Sequence, residues 1–95
     1  MAYYYAIDGD DIGTRIEQLV LTDQLQVASA YSQKVESSLN KIKEHIERGG
    51  GYCIFCAGDS LFAVSDRLIE LSKENLMFED ITFSGGVGKS SEESK

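Results

Sequence analysis

The apolar positions of this 95-residue chain form short strand-like runs and two helical stripes. Residues 2–8 are aromatic and β-branched without helical spacing, which predicts a buried strand. Stripes at helical spacing predict one helix from about Asp11, and a second, capped by Thr22-Asp23, that runs to about Arg48. The runs 51–57 and 60–64 flank Gly58-Asp59 and predict a hairpin with a type II′ turn, because glycine accepts its positive φ.

Two further elements are expected after the hairpin. Ser65-Asp66 predicts the cap of a shorter helix that carries Leu68, Leu71 and Leu76 on one side, and 81–84 alternates as a final strand. The order strand, two helices, strand, strand, helix, strand is typical of an α+β fold with split βαβ topology, an antiparallel sheet and helices on one face. The first and third strands are then antiparallel neighbours. Asp8 and Asp59, fifty residues apart, should therefore meet at one strand end.

Composition narrows the functional classes. A net charge of −7 argues against binding to long nucleic acids, although metal ions can bring phosphates to acidic residues. No apolar run approaches the roughly 20 residues of a membrane span, and no signal-peptide pattern is present, so we expect no membrane contact and a cytoplasmic location. We expect one domain over 1–88 and, over 89–95, a polar tail that is flexible or the stump of a longer chain.

The cysteines and the histidine predict no site by themselves. Cys53 and Cys56 are three residues apart, so on a regular strand they face opposite sides, and no further Cys or His cluster completes a metal site. We interpret them as small apolar side chains rather than a redox pair or a zinc site. His45 falls on the polar side of the long helix and should be solvated.

The acidic residues are the best candidates for chemistry. Asp8, Asp10 and Asp11 crowd one loop, and Asp59 should approach from the hairpin. Clustered carboxylates resist ionisation unless cations balance them, and hard oxygen ligands suit Mg²⁺ or Mn²⁺ held with substrate phosphates. Backbone N–H groups at the helix start, around Asp11 to Gly13, are suited to a triphosphate. In the alternative interpretation, Asp10 and Asp11 only cap a helix and Asp59 is an ordinary turn residue. Spacing alone does not separate the two.

Two look-alike motifs are rejected. The loop from Asp8 imitates a calcium loop, but its twelfth position is Leu19 instead of Glu. Residues 85–90 imitate a phosphate loop, but Phe83 stands where its first Gly belongs and the chain leaves no room for the helix that should follow.

The acidic segments resemble a known family. Asp8-Gly9-Asp10-Asp11-Ile12-Gly13 looks like the D-G-D-x-[MIV]-G signature of CRISPR-type polymerase palm domains. Three further segments fall in that family's order: Tyr31-Ser32, Ala57-Gly58-Asp59-Ser60 and Ser84-Gly85-Gly86-Val87. At this length the chain most resembles the minimal CRISPR polymerases, with GGDEF diguanylate cyclases and class III nucleotidyl cyclases as wider relatives.

The resemblance implies a ferredoxin-like palm fold that joins nucleoside triphosphates, with ATP favoured, into a cyclic di- or oligonucleotide and releases pyrophosphate. It assigns catalysis to Asp8 and Asp59, and two Mg²⁺ or Mn²⁺ ions to those carboxylates with the Gly9 carbonyl and Asp10. The nucleotide-binding residues it implies are Asp10, Asp11, Ile12, Gly13, Gly58, Ser60 and Lys89. The product would be a second messenger in antiphage defence, read by a separate effector protein, and the enzyme a homodimer or higher oligomer.

Three departures from the family pattern keep two other functions open. Ser60 stands where relatives commonly carry a second hairpin acid. The sequence stops where relatives often continue into a helix with a phosphate-binding lysine, a role for which Lys89 is a candidate. The related cyclases also pair two palms so that each presents one nucleotide. A non-catalytic nucleotide-binding module is therefore an alternative. A structural dimerisation domain, with the tyrosine-rich first strand as its interface, is another.

Overall fold

A computed structural model describes residues 2–78 and 81–89. Its elements in chain order are β1 (Tyr3–Gly9), α1 (Ile12–Leu21), α2 (Leu25–Arg48), β2 (Tyr52–Ala57), β3 (Ser60–Ser65), α3 (Lys73–Leu76), β4 (Met77–Phe78) and β5 (Ile81–Lys89). The predicted tail thus lies partly in β5, and 90–95 fall outside the described residues.

The sheet has the order β2-β3-β1-β5-β4, and all its pairs are antiparallel. Tyr5 and Ile7 of β1 face the helices and are fully buried, together with alternate residues of β3 and β5. The opposite face carries the stacked rings of Tyr4, Phe62 and Phe55. The α+β fold with β1 between β3 and β5 is therefore confirmed.

The long helix α2 buries a stripe that overlaps the expected one. Gln24 is its N-cap, because Thr22 instead ends α1 by donating its hydroxyl to the Gln18 carbonyl. Leu25 is 58% exposed and was wrongly placed in the stripe. Tyr31, which was not in the predicted stripe, is buried instead. It precedes Ser32, the residue at which the predicted apolar stripe is interrupted.

The prediction of a helix that begins at Ser65-Asp66 is wrong. Residues 66–72 are irregular, and α3 is a single turn capped by Ser72. The cause is the buried hydroxyl of Tyr5, which accepts the Ile69 N–H at 2.8 Å and donates to the Arg67 carbonyl at 3.2 Å. These bonds fix the backbone in a non-helical path and bury Ile69, while Leu68 points outward and is 58% exposed.

The last strand is longer than predicted. β5 continues from Ile81 through the glycine run to Lys89, alongside the whole of β1, and β4 adds a short edge strand. A Cβ on Gly85 would lie 2.6 Å from Ile7 Cδ1, so glycine lets β5 approach β1 there. The segment that imitates a phosphate loop is a strand as far as Lys89.

Two smaller predictions also need correction. The register of β2 against β3 shifts between Cys53 and Phe55, so Cys53 pairs with Ala63 and Cys56 with Leu61. Because those partners are two residues apart, both cysteines face the helices, and the expectation of opposite faces was wrong. His45 is half-buried, and its Nε2 lies 2.9 Å from the Glu70 carbonyl oxygen.

Candidate active site

The end of β1 and the β2–β3 turn meet through their backbones. Asp8 pairs with Ser60, and the Gly9 N–H donates to the Asp59 carbonyl at 2.9 Å. Gly58 has φ +60° and Asp59 does not have a positive φ, as the expected type II′ turn requires. The two acidic segments therefore adjoin because of the topology.

Strand alternation separates the side chains at this junction. Asp8 lies on the face away from the helices, where the Ser60 hydroxyl donates to its Oδ1 at 2.6 Å. Gly9 faces the helices, and a Cβ there would lie 2.4 Å from Ile12 Cγ1 and 3.2 Å from Asp59 Cβ. Asp59 is thus on the helix side of the sheet. The absence of a side chain at Gly9 lets it come so close.

Asp59 opens onto a cavity of about 360 Å³, which we call the Asp59 cavity. It lies between the start of α1, the middle of α2 and the hairpin, and its size suits a small-molecule ligand. Asp59 is half-buried, and no hydrogen bond or ion pair joins its carboxylate to any residue that the structure describes. The lining residues are Ile12, Gly13, Ile16, Ser32, Val35, Glu36, Leu39, Asn40, Cys56, Ala57, Gly58 and Asp59.

The start of α1 borders this cavity with uncapped backbone amides. Asp11 occupies the N-cap in a left-handed conformation, φ 56°, and its side chain makes no cap hydrogen bond. Ile12 and Gly13 line the cavity directly after it. First-turn N–H groups without a side-chain cap, at the positive end of the helix dipole, favour an anionic group.

Asp10 lies on the other side of α1, in the Asp10 groove. The hydroxyls of Ser84 and Thr82 donate to its two carboxylate oxygens at 2.6 and 3.0 Å, and its N–H donates to the Thr82 carbonyl. This groove, of about 520 Å³, is lined by Asp10, Asp11, Thr14, Arg15, Gln18, Tyr31 and Thr82. The structure therefore places Asp59 in one hollow and Asp10 and Asp11 in the other, while Asp8 lines neither of them.

The remaining predicted site residue is not brought to the junction. Lys89 pairs with Tyr3 at the start of β1, whereas Asp8 is near its end. Five residues of extended strand separate the two positions by about 17 Å. Lys89 is therefore distant from the other candidate residues.

The donors at the junction are of the chemical kind that binds a divalent cation shared with a substrate, although the Asp8 and Asp59 side chains leave their strand ends on opposite faces of the sheet. Within 2–78 and 81–89, no three His, Cys, Asp or Glu side chains cluster as a metal site. The Asp8 and Asp59 carboxylates and the Gly9 carbonyl are nevertheless hard oxygen donors on adjoining residues. Mg²⁺ is commonly held by one or two carboxylates plus substrate phosphates, so such a set suits it without an all-protein cage.

Among the polar residues of α2, Glu36 and Asn40 were missed from the sequence, and Ser32 was noted only as part of the segment Tyr31-Ser32, without a role in the site. Ser32, Glu36 and Asn40 line the Asp59 cavity opposite the hairpin. Their spacing of four places them on one flank of the helix, beside the apolar stripe. This polar row was the signal that could have identified them.

The comparisons with known proteins add one finding. The family model for the minimal CRISPR polymerase domain, mCpol, matches residues 4–95. No curated protein and no solved structure matched the chain. In the described residues no helix is long and apolar enough to cross a membrane. The family match spans nearly the whole chain and includes both acidic segments, so this chain belongs to the minimal CRISPR polymerase (mCpol) family.

Proposed function

We propose that this domain is a metal-dependent nucleotidyltransferase that joins nucleoside triphosphates, with ATP favoured, into a cyclic di- or oligonucleotide and releases pyrophosphate. The observation that carries the proposal is the Asp59 cavity, which lies between uncapped helix amides and a half-buried carboxylate. A triphosphate needs the amides and a cation, and its base needs a walled hollow. The family's polymerase character supports the same reaction class.

The acidic residues at the junction would hold the cations. Asp8, Asp59 and the Gly9 carbonyl supply hard oxygen donors to Mg²⁺ or Mn²⁺. When bound, two such ions activate an attacking hydroxyl and stabilise the departing pyrophosphate. The chain's own contribution is to orient the triphosphate along the first turn of α1, with Gly13 and Gly58 leaving space beside it; a Cβ at either position would meet no atom within 4 Å.

The far wall of the cavity would receive the base. Ile16, Val35 and Leu39 give apolar surface for a purine ring, and the row Ser32, Glu36 and Asn40 gives polar groups at its edge. An Asn amide offers one donor and one acceptor side by side, which complements an adenine edge. This chemistry supports ATP as the substrate.

Joining two nucleotides requires more than one copy. Each copy contributes one Asp59 cavity, and the joining reaction needs two nucleotides, so we propose a homodimer or higher oligomer in which two copies each present a triphosphate. The cyclic product would act as a second messenger in antiphage defence and be read by a separate effector.

The test is product analysis by mass spectrometry. The chain is incubated with all four nucleoside triphosphates and Mg²⁺ or Mn²⁺, and pyrophosphate is measured in parallel. We expect a phosphatase-resistant cyclic adenine product that disappears in Asp59→Asn while the melting temperature is kept. A folded Asp59→Asn variant with full activity would refute the site. Absence of any product would refute the enzymatic function.

A non-catalytic nucleotide-binding module is the second candidate. Ser60 stands where relatives have an acid and is bonded to Asp8, which occupies one of that carboxylate's oxygens. This function predicts that ATP with Mg²⁺ raises the melting temperature while mass spectrometry detects no product. Asp59→Asn should then abolish the thermal shift.

A further inference from the structure

The register shift in β2 brings two thiols onto one side of an edge strand. Three residues of regular strand span about 10 Å and end on opposite faces. Here Cys53 and Cys56 pair with Ala63 and Leu61, which are two residues apart, so the span falls to about 6.6 Å on the same face. Disulfides need a Cα–Cα distance of about 4.4–6.8 Å and a Cβ–Cβ distance of about 3.5–4.5 Å. The Cα span of this pair lies at the upper limit, and the two Cβ atoms must also lean toward each other before the bond can close.

The Cys53 thiol has a defined direction, and its environment keeps it protonated more strongly than an ordinary thiol. The Cys53 thiol donates to the Phe55 carbonyl at 3.0 Å, so it turns along the strand toward Cys56. Both cysteines are half-buried against the core, and neither is in a disulfide. Burial, and next the neighbouring Cys56, raise the pKa of the Cys53 thiol, with smaller effects from Lys43 and Glu47 of α2.

We propose that Cys53 and Cys56 are a reversible redox site, in which an intrachain disulfide forms by exchange with a small-molecule disulfide such as glutathione disulfide. One cysteine thiolate attacks the small disulfide, forms a mixed disulfide and releases one glutathione thiolate. The second cysteine, as thiolate, attacks the bonded cysteine sulfur and releases the second glutathione. The two cysteines lose two protons and two electrons, and glutathione disulfide takes up both electrons.

The geometry makes this disulfide a labile one. Closing the bond requires β2 to contract until the two Cβ atoms lie within about 4.5 Å, and strained disulfides are more easily reduced than structural ones. Among the described strands β2 is an edge strand that pairs with β3 alone, so it can adapt without breaking a second ladder. A bond of this kind is suited to reversible control rather than to permanent stabilisation.

Oxidation of the two cysteines would change the shape of the Asp59 cavity. The effect on ATP binding that we derive from this rests on the proposed function. Cys56 lines that cavity, three residues before Asp59. A disulfide to Cys53 would draw its sulfur along β2 and strain the hairpin that positions Asp59. We therefore expect the oxidised protein to bind ATP with Mg²⁺ several-fold more weakly. Conversely, saturating ATP should slow disulfide formation.

The experiment equilibrates the full chain in glutathione redox buffers, traps free thiols with a maleimide and measures intact mass. We expect both thiols to be lost together in a monomer that is two hydrogens lighter, and dithiothreitol to restore them. The rate of disulfide formation should keep rising above the pH at which an ordinary thiol is fully deprotonated, because the raised pKa of Cys53 keeps that thiol protonated to higher pH. Cys53→Ser and Cys56→Ser should each stop at a mixed disulfide with glutathione.

A matched control moves one thiol out of register. Cys56→Ser/Ala57→Cys keeps two thiols but places the second opposite Ser60, three residues along β3 from Ala63. It should form no intrachain disulfide. Persistent thiols, a lasting glutathione adduct or a disulfide-linked dimer in the unaltered chain would overturn the redox site. Normal disulfide formation without any effect of ATP would instead overturn only its link to the nucleotide cavity.

Discussion

The two hollows on either side of α1 contain acidic residues in opposite states. In the Asp10 groove, hydroxyls of Thr82 and Ser84 satisfy both oxygens of the Asp10 carboxylate, which ties the β1–α1 loop to β5. In the Asp59 cavity, the Asp59 carboxylate is half-buried and has no bonding partner among the described residues.

Under the proposed function, this difference distinguishes Asp10 as a structural acid from Asp59 as a functional one. A saturated carboxylate contributes to stability, and its removal leaves its donors without an acceptor. A half-buried carboxylate without a partner has both oxygens available to a cation or to a hydrogen-bond donor of a ligand. The comparison therefore predicts which substitutions damage activity and which damage folding.

The largest effect is expected from Asp59→Asn. Removing one preorganised electrostatic contact at a reaction centre typically costs about 10²–10³-fold in turnover, so pyrophosphate release from ATP should fall at least about 100-fold. The melting temperature should change little, because Asp59 bonds to nothing through its side chain in the described part of the chain.

Asp10→Asn is the matched variant from the other hollow. It weakens two exposed hydrogen bonds, so we expect a loss of about 1 kcal/mol in the free energy of unfolding, or roughly 4–8 °C. Turnover should stay within about tenfold of the unaltered chain. The assignment of roles fails if Asp10→Asn abolishes turnover while Asp59→Asn unfolds the protein.

Alanine substitutions at two glycines beside the Asp59 cavity should distinguish an effect on packing from an effect on ligand binding. Gly9→Ala would set a methyl 2.4 Å from Ile12 Cγ1, and such overpacking costs about 1–3 kcal/mol of stability. Gly13→Ala meets no atom within 4 Å and replaces a helical glycine, so it should stabilise by about 0.5–1 kcal/mol.

The second measurement on this pair is ATP affinity in the presence of Mg²⁺. Gly13 lines the Asp59 cavity at the uncapped first turn of α1, so its added methyl should weaken ATP binding although the fold is more stable. If Gly13→Ala binds ATP normally, the triphosphate does not lie along this turn.

The rule that saturated polar groups contribute stability also applies at the other end of β1. Tyr5→Phe removes the hydroxyl that accepts the buried Ile69 N–H and donates to the Arg67 carbonyl. An unsatisfied buried donor costs about 1–3 kcal/mol, which should lower the melting temperature by several degrees. Tyr4→Phe is the control, because the Tyr4 ring stacks on Phe62 and its hydroxyl bonds to no described residue. Equal effects of the two variants would contradict the role of the Tyr5 hydroxyl.

Patterns within one element predicted the fold well. The apolar run of β1, the stripe of α2 and the Gly58-Asp59 turn each depend on neighbours in sequence, and the split βαβ topology follows from their order. The proximity of Asp8 and Asp59 was predicted because it depends on topology alone.

Features set by tertiary contacts could not be read from the sequence. Leu68 and Leu71 have helical spacing, but the path of 66–72 is fixed by a tyrosine hydroxyl more than sixty residues earlier in the chain. The register shift between Cys53 and Phe55 places Cys56 on the same face as Cys53 instead of the opposite one. No residue in this segment indicates that shift. The Asp10 and Asp59 side chains are likewise separated because successive residues at the end of β1 face opposite sides of the sheet. The spacing of the acidic residues in the sequence does not show this separation.

Ser60→Ala is expected to have the smallest effect. It tests whether Asp8 is a hydrogen-bonded structural acid like Asp10 or an available cation ligand like Asp59. The Ser60 hydroxyl donates to one oxygen of the exposed Asp8 carboxylate at 2.6 Å, so Asp8 is only partly satisfied. If Asp8 binds a cation together with Asp59, this hydroxyl competes with the ion. Its removal should tighten Mn²⁺ binding a few-fold, since a net hydrogen bond contributes about 0.5–1.5 kcal/mol. Ser60→Thr, which keeps the hydroxyl, should bind Mn²⁺ like the unaltered chain in a calorimetric titration. Weaker binding in Ser60→Ala would instead mean that the hydroxyl helps to hold the ion, and Asp8 would then belong with Asp59 rather than with Asp10.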